Sequence, residues 1–387
     1  MIKRDISEKI KELRGKFPVL TLTGARQTGK TTLLKHIYSD LPYVSLEDID
    51  NRQLALSDPR GFLDNYPNGA VFDEIQNVPE LFSYLQGVVD SKDIHFALSG
   101  SQNFLLTEKI TQTLAGRTAS LKLLPFSYSE LTKNANFEFG SYEEIVFKGG
   151  YPRLYDKEIN PTDFYPHYIA SYVERDVRQI KNLENLNSFI TFLKLCAGRI
   201  GQIVNFQSLA SDAGISHNTV KSWLSILEAS YIAYLFRPYY KNFNKRLIKS
   251  PKLFFYDTGL ACSLLNIENS DQLKTHYLKG GLFENYVINE FLKIRFNAGK
   301  NSNLYFWQNS QKKEIDILVE KGSLLLPFEV KSSKTRLPGL LDNLQYWKRL
   351  HDLEDSSILN LIYGGDEDVK TSRGNYISWR SIPNIDI

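Results

Sequence analysis

A chain of 387 residues is long enough for two or three hydrophobic cores, and 42% hydrophobic against 24% charged residues excludes a disordered or fibrous polypeptide. Lys and Arg number 47 and Asp and Glu 44, so the net charge of +3 makes no claim on nucleic acid, and any basic surface must be local. Cys196 and Cys262, without C-x-x-C spacing, exclude a disulfide framework and a thiolate zinc site, and the six scattered histidines suggest neither a metal centre nor a His-based triad. No apolar run approaches the roughly 20 residues of a membrane span, and residues 1–14 lack a signal-peptide core. The chain reads as soluble and cytoplasmic, with no membrane partner.

The first 120 residues alternate short β-branched runs with amphipathic stretches, which predicts a parallel sheet covered by helices. Strands are expected over 19–23, 43–46, 69–72 and 94–99, with one more over 121–127 stopped by Pro125. Helical periodicity follows, over 165–180 and 188–199. Short helices within 205–233 lead into expected strands over 234–240 and 252–256, and a helix over 282–296 opens a last α/β stretch. The expected domains are 1–127, 128–200, 201–265 and 266–387.

Gly24-Ala25-Arg26-Gln27-Thr28-Gly29-Lys30-Thr31 fits G-x-x-x-x-G-K-[ST] between an apolar strand and an amphipathic helix starting at Thr32, the context this motif requires. Its glycines let successive N–H groups face a β-phosphate, and the helix N-terminus adds its dipole. Lys30 is placed to bridge the β- and γ-phosphates and Thr31 to ligate Mg²⁺. Gly69-Ala70-Val71-Phe72-Asp73-Glu74 is an apolar strand ending in two carboxylates: Asp73 for the metal shell, Glu74 to polarise the attacking water. Ser99 and Ser101 end the next strand with hydroxyls for the γ-phosphate or its water. Arg117, in Leu114-Ala115-Gly116-Arg117, offers a guanidinium for transition-state charge, in cis or, within a homo-oligomer, in trans.

These motifs, together with Asp58-Pro59 and Ile75-Gln76, resemble the AAA-type ATPases of bacteria and archaea, in which this core is joined to an uncharacterised C-terminal region. Gly149-Gly150-Tyr151-Pro152, Tyr172-Val173-Glu174-Arg175-Asp176-Val177 and Phe255-Tyr256-Asp257-Thr258-Gly259-Leu260 are similar to the same family's pattern, so the resemblance covers essentially the whole chain. It implies an ATPase core using ATP and Mg²⁺ and leaves the biological role undefined.

Residues 206–224 read as a helix, a turn at Gly214, and a second helix capped by Ser216, with Leu209, Ala210, Ile215, Val220 and Leu224 in a helix-turn-helix core. His217, Asn218, Lys221 and Ser222 are left to reach a groove. Arg237, Lys241, Lys245, Arg246, Lys249 and Lys252 follow without an acid among them, where a wing would lie. Residues 161–260 hold 12 basic and 7 acidic side chains, so DNA is the expected partner and a packing adaptor with solvated lysines the alternative.

Glu284 on its helix, Asp316, and then Glu329-Val330-Lys331 after a twelve-residue gap resemble the PD-(D/E)XK phosphodiesterase core. A hairpin turning at Lys321-Gly322 sets Glu329 and Lys331 on one face with Asp316 beside them. Asp316 and Glu329 then bind Mg²⁺, Glu284 orients water or a second metal, and Lys331 stabilises the nucleophile. A metal held by Asp316 and Glu329 favours a nuclease. A direct Lys331 salt bridge filling that place favours a docking module in a regulatory or scaffolding ATPase. The fold class expected is α/β multidomain: a P-loop NTPase (AAA-like) core, a helical and winged-helix middle, and a PD-(D/E)XK-like α/β C-terminal domain.

Overall fold

A computed structural model of the chain describes residues 2–101, 113–172, 186–239, 250–351 and 359–387. The chain divides into two compact units. The first comprises Met1–Phe126 with Ala229–Tyr231 and Phe296–Asn301; the second comprises Ser127–Glu228, Ile232–Arg295 and Ser302–Ile387.

The first unit is built on five parallel strands, β1 (Val19–Thr23), β2 (Tyr43–Ser45), β3 (Val71–Asp73), β4 (Phe96–Gly100) and β5 (Thr118–Lys122), in the order β2-β3-β4-β1-β5. Alternate side chains pack on opposite faces. Val19, Phe72 and Phe96 join the core beneath helices Ile49–Ser57, Pro59–Asp64 and Leu81–Ser91, while Leu20, Val71 and Ala97 join the core beneath Ile6–Leu13 and Lys30–Ile37. The fifth strand ends at Lys122, short of the expected 121–127. The apolar run continues past it because Leu123, Leu124 and Phe126 are buried as a loop. Ser127 turns the chain into helix Tyr128–Ala135 through a capping box: Glu130 N–H donates to Ser127 Oγ (3.1 Å), and Ser127 N–H to Glu130 Oε2 (2.9 Å).

In the second unit, helices Pro161–Tyr172 and Leu186–Ala197 cover 165–172 of the expected 165–180 and 188–197 of the expected 188–199; the rest of the first, with Val173 to Val177 of the quoted motif, lies outside the described residues. Helices Phe206–Ala213 and His217–Ala229 flank Gly214 and lead into the antiparallel pair β6 (Ala233–Phe236) and β7 (Lys252–Phe255). Leu209, Ala210, Val220 and Leu224 are buried as expected, whereas Ile215 is half-buried. A six-stranded mixed sheet follows: β8 (Leu304–Gln308), β9 (Glu314–Lys321), β10 (Leu324–Lys331), β11 (Asn360–Tyr363), β12 (Val369–Thr371) and β13 (Gly374–Ser378), ordered β12-β13-β11-β10-β9-β8. Helix Lys279–Asn297 carries buried amides that hold the hairpin. The Asn285 side chain accepts from Phe255 N–H (2.8 Å) and donates to Phe255 O (2.7 Å), and Asn289 donates to the same carbonyl (2.9 Å). Trp223, Trp307, Trp347 and Trp379 are core residues, and both cysteines are buried, free thiols in this unit.

The Gly149-Gly150 and Asp257-Thr258-Gly259 motifs meet around one carboxylate. Asp257 accepts from Gly150 N–H (2.7 Å), Leu260 N–H (3.0 Å) and Tyr165 OH (2.6 Å). Gly149 lies at φ +70°, and a Cβ there would meet Tyr165 Oη at 2.0 Å and Asp257 Oδ1 at 2.4 Å. Asp257 thus ties the Gly149-Gly150 turn to helix Pro161–Tyr172 and to the start of helix Thr258–Leu264.

Candidate nucleotide site and carboxylate cluster

Parallel strands release their loops at their C-terminal ends, and the loop after β1 runs from Gly24 to Gly29 before helix Lys30–Ile37. Gly24 is packed so tightly that a Cβ would meet Leu123 O at 2.1 Å. Ala25 and Thr28 are buried, with Thr28 Oγ1 donating to Ala25 O (2.9 Å); Gln27 and Thr32 are exposed, and Arg26 stands 4.0 Å from Glu47. Lys30 is buried, its ammonium donating to Gly24 O (2.9 Å) and Ala25 O (2.8 Å). Arg4 braces the loop from below. Its guanidinium donates to Thr28 O and Leu124 O, both at 2.7 Å, over the Phe126 ring.

Asp73, the last residue of β3, collects the site. Oδ2 accepts from Thr31 Oγ1 (2.7 Å) and Tyr43 OH (2.7 Å); Oδ1 accepts from Glu74 N–H (3.1 Å) and from Ser99 Oγ. Burial, followed by the Asp73 carboxylate, pushes the Tyr43 phenol well above its usual range. Glu74, at φ 54°, turns away from the strand, and its carboxylate accepts from Gln76 Nε2 and from Ser101 Oγ (3.3 Å). The structure thus brings Thr31, Asp73, Glu74, Ser99 and Ser101 to one end of the sheet. Thr31 and Asp73 set two hard oxygen donors side by side, of the kind that could hold Mg²⁺.

Arg117 is placed elsewhere. It precedes β5, whose Thr118 pairs with Val19 at the start of β1 and whose Lys122 pairs with Thr23 at its end. Some ~13 Å of strand therefore separates it from the phosphate loop. Its guanidinium is forked onto Asp90 (Nε to Oδ1 2.5 Å, Nη2 to Oδ2 2.9 Å). The expectation that Arg117 serves the nucleotide of its own chain is corrected: it lies at the opposite end of the strands.

In the second unit, Glu284, Asp316, Glu329 and Lys331 do converge. Lys331 Nζ contacts Asp316 Oδ2 (3.0 Å) and Glu329 Oε2 (2.5 Å), and Asp316 Oδ2 also accepts from Val330 N–H (2.8 Å). Two further members are Glu314, two residues before Asp316 on β9, and Lys252, the first residue of β7. Lys252 pairs with Glu284 (2.7 Å) and with Glu314, so it is no part of an exposed basic strip. Oxygens of Glu284, Glu314 and Asp316 lie within 4.8 Å of one another. Burial raises the Glu284 carboxyl to about 7, against the pull of Lys252. Burial also works to raise Asp316, but Lys331 and Lys252 overcome it and hold the carboxyl at about 2. Glu329, fully buried beside Asp316, is pushed well above its usual range.

On the helix-turn-helix, His217, Asn218 and Lys221 are exposed, as is Arg237 after β6; Lys241, Lys245 and Arg246 lie outside the described residues. Spacing alone gave a signal for Glu314, an i, i+2 neighbour of Asp316, and none for Arg4, Tyr43 or Lys252.

Residues 16–132 match the family model of the AAA domain. Most of the first unit is therefore similar to the AAA domain. Two further models, each described as a domain of unknown function (DUF8612 and DUF4143), match residues 139–271 and 279–382. Similar chains include an uncharacterized protein of Mycobacterium tuberculosis, 26% identical over 340 residues, 86% of this chain and 74% of that one. Another, from Methanocaldococcus jannaschii, is 24% identical over 349 residues, 82% of this chain and 75% of that one. Similar solved structures include a Walker-type ATPase of Pyrococcus abyssi (15% identity, 68% of this chain and 96% of that chain, TM-score 0.46). The ORC1 protein of Aeropyrum pernix in complex with DNA shows 11% identity over 69% of this chain and 93% of that chain, with a TM-score of 0.29. The AAA domain spans the phosphate loop, Asp73, Glu74, Ser99, Ser101 and Arg117. Among the described residues no helix is long and apolar enough to cross a membrane.

Proposed function

We propose that the AAA domain binds and hydrolyses ATP and that its nucleotide state governs a nucleic-acid-binding second unit. The observation that carries the reading is the convergence of Lys30, Thr31, Asp73 and Glu74 at the C-terminal end of the parallel sheet, with the Thr31 hydroxyl 2.7 Å from Asp73. Lys30 swings from the loop carbonyls to the β- and γ-phosphates, and the loop N–H groups take the phosphate oxygens. Thr31 and Asp73 would hold Mg²⁺, which supplies charge neutralisation at the phosphates when bound. Glu74 orients and deprotonates the attacking water, held in place by Gln76 and Ser101. Lys30→Ala is expected to abolish nucleotide binding. Glu74→Gln should retain binding and lose about 100-fold or more in turnover, measured by phosphate release. Equal turnover in wild type and both variants would refute the assignment.

The helix-turn-helix and the β6–β7 hairpin read as a winged helix, with His217, Asn218, Lys221 and Arg237 exposed toward DNA and Lys241, Lys245 and Arg246 in the connection. The β9–β10 hairpin with Glu284 reads as a PD-(D/E)XK-like core. Direct pairing of Lys331 with Asp316 and Glu329 favours a regulatory docking module over a nuclease. Incubating several DNA and RNA forms with Mg²⁺ or Mn²⁺, with and without ATP, tests both parts. Salt-dependent binding weakened by Lys221→Ala and Arg237→Ala is expected, without cleavage. Cleavage lost in Lys331→Ala would reverse the second part.

A further inference from the structure

Two ammonium groups interleave with four carboxylates in the second unit, and they do so unequally. Lys331 is a third exposed and reaches the edge of the cluster, whereas the Lys252 side chain is 5% exposed and lies among Glu284 and Glu314, above the Phe306 ring. The oxygens of Glu284, Glu314 and Asp316 gather within 4.8 Å, a spacing matched to a divalent cation that takes oxygens at about 2.0–2.6 Å. Glu329 adds a fully buried Oε1 that meets no hydrogen-bond donor among the described residues. The carboxylates therefore form a cation site, and a cation already stands in it.

We infer that Lys252 is the resident cation of this site and that it excludes a divalent metal ion from the Glu284–Glu314–Asp316 cluster. The ammonium donates to Glu284 Oε1 (2.7 Å) and pairs with Glu314, two of the three carboxylates a metal would bind. A metal ion bound to those oxygens would stand next to the ammonium, where like-charge repulsion in a buried setting forbids joint occupancy. Lys252 arrives from outside the carboxylate sheet, as the first residue of β7 after the basic connection. The inference rests on the PD-(D/E)XK-like reading of this sheet, in which Asp316 and Glu329 bind the metal with Glu284 beside them, and the geometry adds Glu314; its test reads metal binding directly.

The experiment titrates Mn²⁺, in the absence of nucleotide, into the full-length wild type, Asp316→Asn, Lys252→Met and Lys252→Gln, following free Mn²⁺ by electron paramagnetic resonance and the thermal midpoint in parallel. Wild type and Asp316→Asn should bind Mn²⁺ alike, because neither offers a vacant cluster. Either Lys252 variant should gain one site at least tenfold tighter than any in the wild type and a Mn²⁺-dependent rise in melting temperature, both erased by adding Asp316→Asn. A wild-type site that Asp316→Asn removes overturns the inference, and that comparison stands even if both Lys252 variants fail to fold. So does an unchanged Mn²⁺ affinity in a folded Lys252 variant. Should the gained site appear without DNA or RNA cleavage, the exclusion by Lys252 stands and only a nuclease role for the fold is lost.

Discussion

The Arg117 guanidinium is forked onto both oxygens of Asp90 beside the start of β5, while the phosphate loop leaves the far end of β1. Turnover by the isolated chain should therefore be unchanged in Arg117→Ala, measured as phosphate release at saturating ATP; a drop of tenfold or more would place its guanidinium at a nucleotide after all, in a second copy. Glu228 gives a pH signature. Burial raises its carboxyl, with Leu235 N–H (3.0 Å) and Arg237 working the other way. A folded-state pKa above the unfolded one means that the native protein holds the proton more tightly, so the ionised form costs stability as pH rises above the usual carboxylate range. Glu228→Gln keeps an acceptor for Leu235, and its thermal midpoint should exceed that of the wild type at pH 7 and converge with it near pH 4.

At the level of elements, the strands of the AAA domain were legible because β1 and β4 are buried on both faces and so read as short, mostly apolar runs. The same signal misplaced β5. Leu123, Leu124 and Phe126 are apolar because they pack beneath the phosphate loop and Arg4, and burial of a loop looks like burial of a strand. Charge is read still less well: Lys252 sits in a run of basic residues, but only the pairing of β7 with β6 and its anchoring by Asn285 reveal that this lysine is enclosed by acids. The Gly149 and Asp257 motifs were visible as patterns and acquire their meaning only as a structural joint. Gly149→Ala must adopt positive φ and push a methyl into Tyr165 and Asp257. A loss of about 3 kcal/mol or more in chemical denaturation is expected for the second unit. A change under about 1 kcal/mol would show that the joint yields.

On the scale of the whole molecule, the motifs are partitioned: the phosphate-loop motif lies in one unit, the helix-turn-helix and carboxylate cluster in the other. The near-neutral total charge is accordingly a poor guide, since Glu284, Glu314, Asp316 and Glu329 gather around two lysines while Lys241, Lys245, Arg246 and Lys249 follow one another in sequence without an acid. Both cysteines fall in the second unit, Cys196 on helix Leu186–Ala197 and Cys262 on helix Thr258–Leu264, each with its thiol pushed far up by burial. A thiol of that kind is inert until the structure around it opens. Alkylation is thus a clock that only one half of the molecule can run, with the AAA domain chemically silent. If ATP slows that clock, the ratio of the two labelling rates, through RT ln, is the free energy passed from nucleotide to the other unit; if it does not, the two halves keep separate time.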